Sequence, residues 1–238
     1  MTALLQGAKK LVEDGVRRVR RRLEGPGWFR LGEDVTFRVA GFATAPSRPL
    51  FAARTYYEVR HLRRVFSLLG EHGVPPGRVL EVGCGYGRLS PYIADHFEEH
   101  RGIDVNADAL ALARGAYPHT RFELGNATEI PFAADHFDAV VTWTVLQHVM
   151  PHRIDQALAE IRRVARDRSL IVLCEATRTA DTPQSPKAHT QDRPVSFYSA
   201  AFAPRPLLLE TDITEIDQLE GMRTPGRIMV FGPLPAAP

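Results

Sequence analysis

The run Val79-Leu80-Glu81-Val82 passes straight into Gly83-Cys84-Gly85-Tyr86-Gly87. Glycines placed there allow a tight turn and bring a ligand close to the backbone, and the helix that follows opens with free amides. A turn that only packs helix onto strand is the alternative. The spacing is G-x-G-x-G, with Arg88 where a dinucleotide fingerprint needs glycine, which disfavours that fingerprint. Glu81 sits inside the strand, where a buried acid needs a partner. It reads either as a carboxylate facing a cationic ligand or as a surface or capping acid. Asp104 ends the next apolar run, Gly102-Ile103-Asp104. A carboxylate at that tip can accept both hydroxyls of a ribose, or it caps a helix, a task for which Asn106 competes. Asn126, in Gly125-Asn126-Ala127, carries an amide able to read the amino edge of an adenine, or it is a turn residue beside Gly125.

Positioning these groups takes a particular frame. Strands are expected at 78–82, 100–104, 120–124, 137–143 and 169–174, with helices at 87–97, 106–115 and 152–166, Pro151 entering the last of them. Apolar strands alternating with helices imply a parallel sheet covered on both faces. The three strand tips then share the carboxyl edge, where open α/β sheets bind ligands. A helix over 50–70 precedes them, with Val59, Leu62, Val65, Phe66 and Leu69 inward. Residues 175–195 read as a long loop. A short helix at 196–203 and extended runs at 206–217 and 226–232 follow.

Glu81 to Gly87, Asp104, Gly125-Asn126-Ala127, Pro131-Phe132 and Phe137-Asp138-Ala139-Val140-Val141 together resemble the class I S-adenosylmethionine-dependent methyltransferases, over about residues 55–175. The resemblance implies a doubly wound, Rossmann-like α/β domain over 51–238. Its seven-stranded sheet is expected to be parallel with an antiparallel last strand. Residues 1–50 lie outside the shared pattern and are expected to form an N-terminal basic-helix and hairpin extension. The cofactor implied is S-adenosylmethionine. Gly83, Cys84, Gly85 and Gly87 would pass beneath its methionine part, with Glu81 near the ammonium. Asp104 would take the ribose and Asn126 with Ala127 the adenine, while Thr142 and Trp143 would wall the sulfonium. The family often has Asp at the adenine position; Asn126 there implies weaker binding.

Related small-molecule O-methyltransferases carry a histidine general base just past the fourth strand. His148 occupies that place and is the candidate base; the alternative is a histidine that packs at the strand-to-helix corner. Tyr56 and Tyr57 on the second helix, and His189 and Tyr198 flanking the long loop, are candidates for the substrate mouth. Helix packing and an exposed loop account for them equally. Cys84 and Cys174 read as small buried residues, not nucleophiles. No Cys/His cluster has zinc spacing.

The expected reaction is methyl transfer to an oxygen, rather than a nitrogen, of a small-molecule or glycan-type acceptor. Methylation of RNA or protein is the second reading, and a non-catalytic cofactor-binding protein the third. Thr142-Trp143-Thr144-Val145 stands where base-amino methyltransferases show Asn/Asp-Pro-Pro-aromatic, and no Pro-Cys dipeptide occurs. Charge agrees: residues 1–30 carry +5 and the rest −3, so the body is mildly acidic and nucleic acid is not the expected partner. With 44% hydrophobic and 24% charged residues the composition is that of a globular chain, and no apolar run approaches a membrane span. Met1–Leu5 leads into Lys9, Lys10, Glu13 and Asp14, not a secretory leader, so a cytoplasmic location is expected. Residues 3–23 form an expected amphipathic basic helix. Its apolar stripe is modest and lacks aromatic residues, so at most weak, salt-sensitive contact with an anionic membrane surface is expected of it.

Overall fold

The computed structural model describes residues 29–31, 35–37, 48–178, 191–213 and 226–235, and side chains from Thr55 onward. The basic helix expected at 3–23 and His189 lie outside the described residues. The expected hairpin is present as β1 (Phe29–Leu31) paired antiparallel with β2 (Val35–Phe37).

Helix α1 (Arg48–Glu71) leads to β3 (Arg78–Val82), α2 (Ser90–Ala94), β4 (Glu99–Asp104), α3 (Ala107–Ala116), β5 (Arg121–Leu124) and β6 (Phe137–Trp143). A short turn of 3-10 helix (Leu146–His148) and α4 (Ile154–Val164) follow. Then come β7 (Ala165–Ala176), α5 (Val195–Phe202), β8 (Leu207–Asp212) and β9 (Gly226–Phe231). Seven strands form one sheet in the order β5-β4-β3-β6-β7-β9-β8. β3 to β7 run parallel, and β9 is antiparallel to both its neighbours. The chain steps outward from β3 through β4 to β5, then crosses back to β6 on the other side of β3. That reversal opens a crevice at the carboxyl ends of β3 and β6.

Side-chain alternation explains the two layers. Leu80, Val82, Val140, Ile171 and Leu173 face α4 and α5, meeting Leu158, Ile161, Tyr198 and Phe202. Val79, Ala139, Val141, Val172 and Val230 face α1 and α2, meeting Leu62, Val65, Leu69 and Ile93. α4 buries Ile154, Ala157, Leu158, Ile161 and Val164, a stripe at helical period.

Some boundaries differ from expectation. α2 starts at Ser90, not 87, because a helix from 87 would drive the Pro91 ring against the Gly87 carbonyl. α4 starts at Ile154, so Pro151 lies in the preceding turn instead of the helix. β7 begins at Ala165 because α4 runs into it without a loop, and Phe137 pairs with Ala165 through an irregularity in register. The expected extended run at 206–217 is strand only over Leu207–Asp212 among the described residues.

Candidate functional site

The glycine turn is fixed by backbone bonds across two strands. Gly83 N and Cys84 N both donate to Ile103 O, at 2.7 and 3.0 Å. Gly83, Gly85 and Gly87 have φ of +75°, +56° and +82°, the left-handed region that glycine enters without steric cost. A Cβ on Gly83 would stand 2.3 Å from Val145 Cγ2, so this turn touches the one after β6. Around Gly85 nothing among the described residues lies within 4 Å of such a Cβ, leaving its backbone open to a ligand. Burial, with Glu81 and Asp104 nearby, pushes the Cys84 thiol up, away from the thiolate form.

Asp104 braces that turn. Gly85 N donates to its Oδ2 and Asn106 N to its Oδ1, both at 2.8 Å. Its burial pushes the carboxyl up, against the pull of those amides. Asn106 takes the capping role, accepting from Asp108 N and Ala109 N. Asp104 is therefore left for the edge, its carboxylate braced by backbone amides. Asn126 Oδ1 accepts from Thr128 N at 3.0 Å, and its carbonyl accepts from Glu129 N, so this side chain shapes the turn in which Ala127 is buried. Glu81 is buried within β3, accepting from Ser90 Oγ at 2.5 Å, with His100 Nε2 3.0 Å from the same oxygen.

Sequence reasoning missed the groups that tie these pieces together. Glu58 on α1 is fully buried and bonded to Arg88, which follows the glycine turn; its other oxygen accepts from Trp143 Nε1 at 3.0 Å. Burial works against the Arg88 charge, and Glu58 more than offsets this, so the guanidinium pKa is raised. The signal was present: Glu58 lies on the same helical stripe as Leu62, Val65 and Leu69. Glu175 was missed as well. Fully buried at the end of β7, it accepts from Thr142 Oγ1 (2.8 Å), Val145 N (3.2 Å) and Gln147 N (3.1 Å). Burial pushes its carboxyl up, and those donors oppose the shift. Between two of its partners Thr144 has φ +59°, strained for a β-branched residue. Glu175 grips the chain on both sides of that strain.

His148 ends the 3-10 turn and is buried. Ala176 N donates to Gln147 Oε1 at 2.7 Å, and Gln147 Nε2 lies 3.3 Å from His148 Nε2. Arg193 donates to Leu146 O and Val149 O on either side, both at 2.8 Å. Tyr198 is buried beneath, its hydroxyl pushed up by burial and by Glu175. The glycine turn, Asp104 and Asn126 thus share one edge, with Thr142, Trp143 and His148 in the adjoining corner. Tyr56 is 61% exposed, with its ring edge-to-face on Tyr57, and Tyr57 packs on the core. No metal-holding cluster and no membrane-length apolar helix occurs among the described residues.

A family model described as a methyltransferase domain matches residues 79–168. The chain is 30% identical over 199 residues to a fatty-acid O-methyltransferase of Mycolicibacterium smegmatis, covering 82% of this chain and 68% of that one. It spans 56% and 51% of two further curated methyltransferase relatives. Among solved structures, the YcgJ protein of Bacillus subtilis aligns with TM-score 0.57 at 15% identity, covering 74% of this chain and 100% of that one. Phosphoethanolamine N-methyltransferase 1 of Haemonchus contortus, solved with phosphoethanolamine and S-adenosylhomocysteine, aligns with TM-score 0.57 at 15% identity. That alignment covers 69% of this chain and 40% of the nematode enzyme.

Proposed function

The chain belongs to the class I S-adenosylmethionine-dependent methyltransferases, and on that premise we propose that it methylates an oxygen of a small-molecule or glycan-type acceptor. The residues present fit the cofactor: the open side of Gly85 leaves room for its chain, and the buried Asp104 stands beside that opening. S-adenosylmethionine supplies a methyl group already activated as a sulfonium. Gly83, Cys84, Gly85 and Gly87 line its methionine part in this reading, with Glu81 behind them. Asp104 takes the ribose through its remaining lone pairs, and Asn126 and Ala127 meet the adenine. Thr142 and Trp143 hold the wall nearest the sulfur, kept in place by Glu175 and Glu58. His148 stands against the acceptor oxygen. Much of the rate then comes from alignment, since the donor is pre-activated.

The observation that carries this reading is the edge that runs from Asp104 at the end of β4, past the glycine turn after β3, to Thr142 and Trp143 at the end of β6, with the buried His148 in the turn beyond. The similarity to a fatty-acid O-methyltransferase supports oxygen over nitrogen. Residues 51–238 form the cofactor-binding domain in this reading. Residues 3–23 of the extension make at most weak contact with an anionic membrane surface. Incubation with methyl-tritiated S-adenosylmethionine tests the reading, using separate pools of carboxylic acids, alcohols, phenols and oligosaccharides, with bulk RNA and protein in parallel. Label is expected in a small-molecule or oligosaccharide product. Label confined to RNA or protein would overturn it.

A further inference from the structure

Helix α1 has two unlike faces. Glu58, Leu62, Val65, Phe66 and Leu69 are buried at helical spacing, the apolar ones packed with Val79, Ile93 and Val141. Tyr56, Arg60, Arg63 and Arg64 are all exposed. By helical geometry they share an arc of about 100° on the opposite side, over about 12 Å of helix. Among the described residues none of these three arginines pairs with a carboxylate. The acids of α1 are engaged elsewhere: Glu58 holds Arg88 and Trp143, and Glu71 accepts from Ser67 Oγ. Just past α2, burial pushes the His96 pKa down; Asp95 opposes this and Arg63 adds to it, so one acid borders the face.

The charge of the whole chain is divided in the same sense. Residues 1–64 carry 14 lysines and arginines against 6 acids, a net +8, and the remainder carries 16 against 22, a net −6. An anionic surface attracts the first part and repels the second, which turns the molecule so that α1 faces that surface. The face also lies beside the site. Thr55 and Glu58, on either side of Tyr56, both bond to Arg88 behind the glycine turn, and Glu58 accepts from the Trp143 indole.

We infer that the exposed face of α1, through Arg60, Arg63 and Arg64, docks on an anionic lipid bilayer. A bilayer presents a broad sheet of mobile headgroup charge that three neighbouring guanidinium groups meet without a matching groove. Tyr56 adds an apolar ring with a polar tip, the form that settles at headgroup level. An acidic protein partner would call for an apolar centre, and Tyr56 is the one large apolar side chain exposed among the described residues of α1. Single-stranded RNA would call for aromatic rings interleaved with the cations, and no Phe, Tyr or Trp is exposed between Arg60 and Arg64. The inference goes beyond the methyl-transfer reading and does not depend on it. Docked in this way, the edge that carries Trp143 and the glycine turn lies beside the headgroups, where amphipathic acceptors collect.

The test is co-sedimentation of the full chain with vesicles of phosphatidylcholine alone, or of phosphatidylcholine with about one-third phosphatidylglycerol, at about 50 and 300 mM salt. Binding to the anionic vesicles alone is expected, weakened at the higher salt because exposed charges are screened. Each arginine near the headgroups contributes roughly fivefold, so the variant with Arg60→Gln, Arg63→Gln and Arg64→Gln together should bind about a hundredfold more weakly. These side chains are exposed, so its affinity for S-adenosylmethionine should stay within about twofold. Where the triple variant melts early, the three single variants read the same effect at about fivefold each. Natural protein that stays in solution at low salt, or that binds neutral vesicles equally, overturns the inference. So does retention on bulk RNA but on neither vesicle. A triple variant that binds like the natural protein also overturns it, and loss only on changing Arg17, Arg18, Arg20, Arg21 and Arg22 to Gln would assign the contact to residues 3–23 instead.

Discussion

Replacing Glu58 by alanine lowers the stability of the domain by about 3–5 kcal/mol, the scale for breaking a buried ion pair from one side. Glu58 is fully buried, while the Arg88 side chain is 16% exposed. Without the carboxylate, Arg88 retains Thr55 Oγ1 at 3.4 Å, and the Trp143 indole N–H loses its acceptor. Glu58→Gln keeps an oxygen for Trp143 but presents an amide donor or a weaker neutral acceptor to Arg88, so it falls between the two. Urea unfolding at pH 7 reads the difference. A loss below about 1 kcal/mol would mean that water reaches Arg88 and that α1 does not lock the glycine turn.

The second large effect is on cofactor affinity. Asp104→Ala should weaken S-adenosylmethionine binding by about 1.5–3 kcal/mol, the scale of hydrogen bonds to a charged group. That is roughly a ten- to hundredfold rise in Kd. Asp104→Asn separates the two tasks of this carboxylate. Its remaining oxygen accepts from either Gly85 N or Asn106 N, while its NH2 opposes the other amide. It should therefore bind no better than the alanine variant, although it is closer in shape. Calorimetric titration of folded protein checks this. Unchanged affinity in Asp104→Ala would remove the ribose assignment.

The parts of the site that the sequence made visible are those whose chemistry is local. A glycine turn needs positive φ at fixed offsets, and three of its glycines have it. The apolar runs around Val79 and Val140 are continuous because both faces of the sheet are covered. The parallel run of the sheet follows from alternating strands and helices, as do the carboxyl-edge positions of Asp104 and Asn126. What stayed hidden depends on contacts across the chain. Glu58 meets Arg88 across 30 residues and Trp143 across 85, and no local pattern records either contact. Glu175 reaches Gln147 across 28 residues, and only its place after a long apolar run set it apart. The Gln147 amide meets Ala176 N across 29 residues, a contact that no local pattern records either. Asp104 shows a different limit: residue type and position suggested a ligand contact, but the bracing of Gly85 required coordinates.

A structure of the full chain with S-adenosylhomocysteine would test the central claim most directly, that methyl transfer takes place at the corner shared by the glycine turn, Asp104 and the turn after β6. The account predicts the ribose hydroxyls on Asp104, the sulfur beside Thr142 and Trp143, and a cavity running from the sulfur to His148. A ribose held away from Asp104, or a sulfur whose only open side faces away from His148, would contradict it.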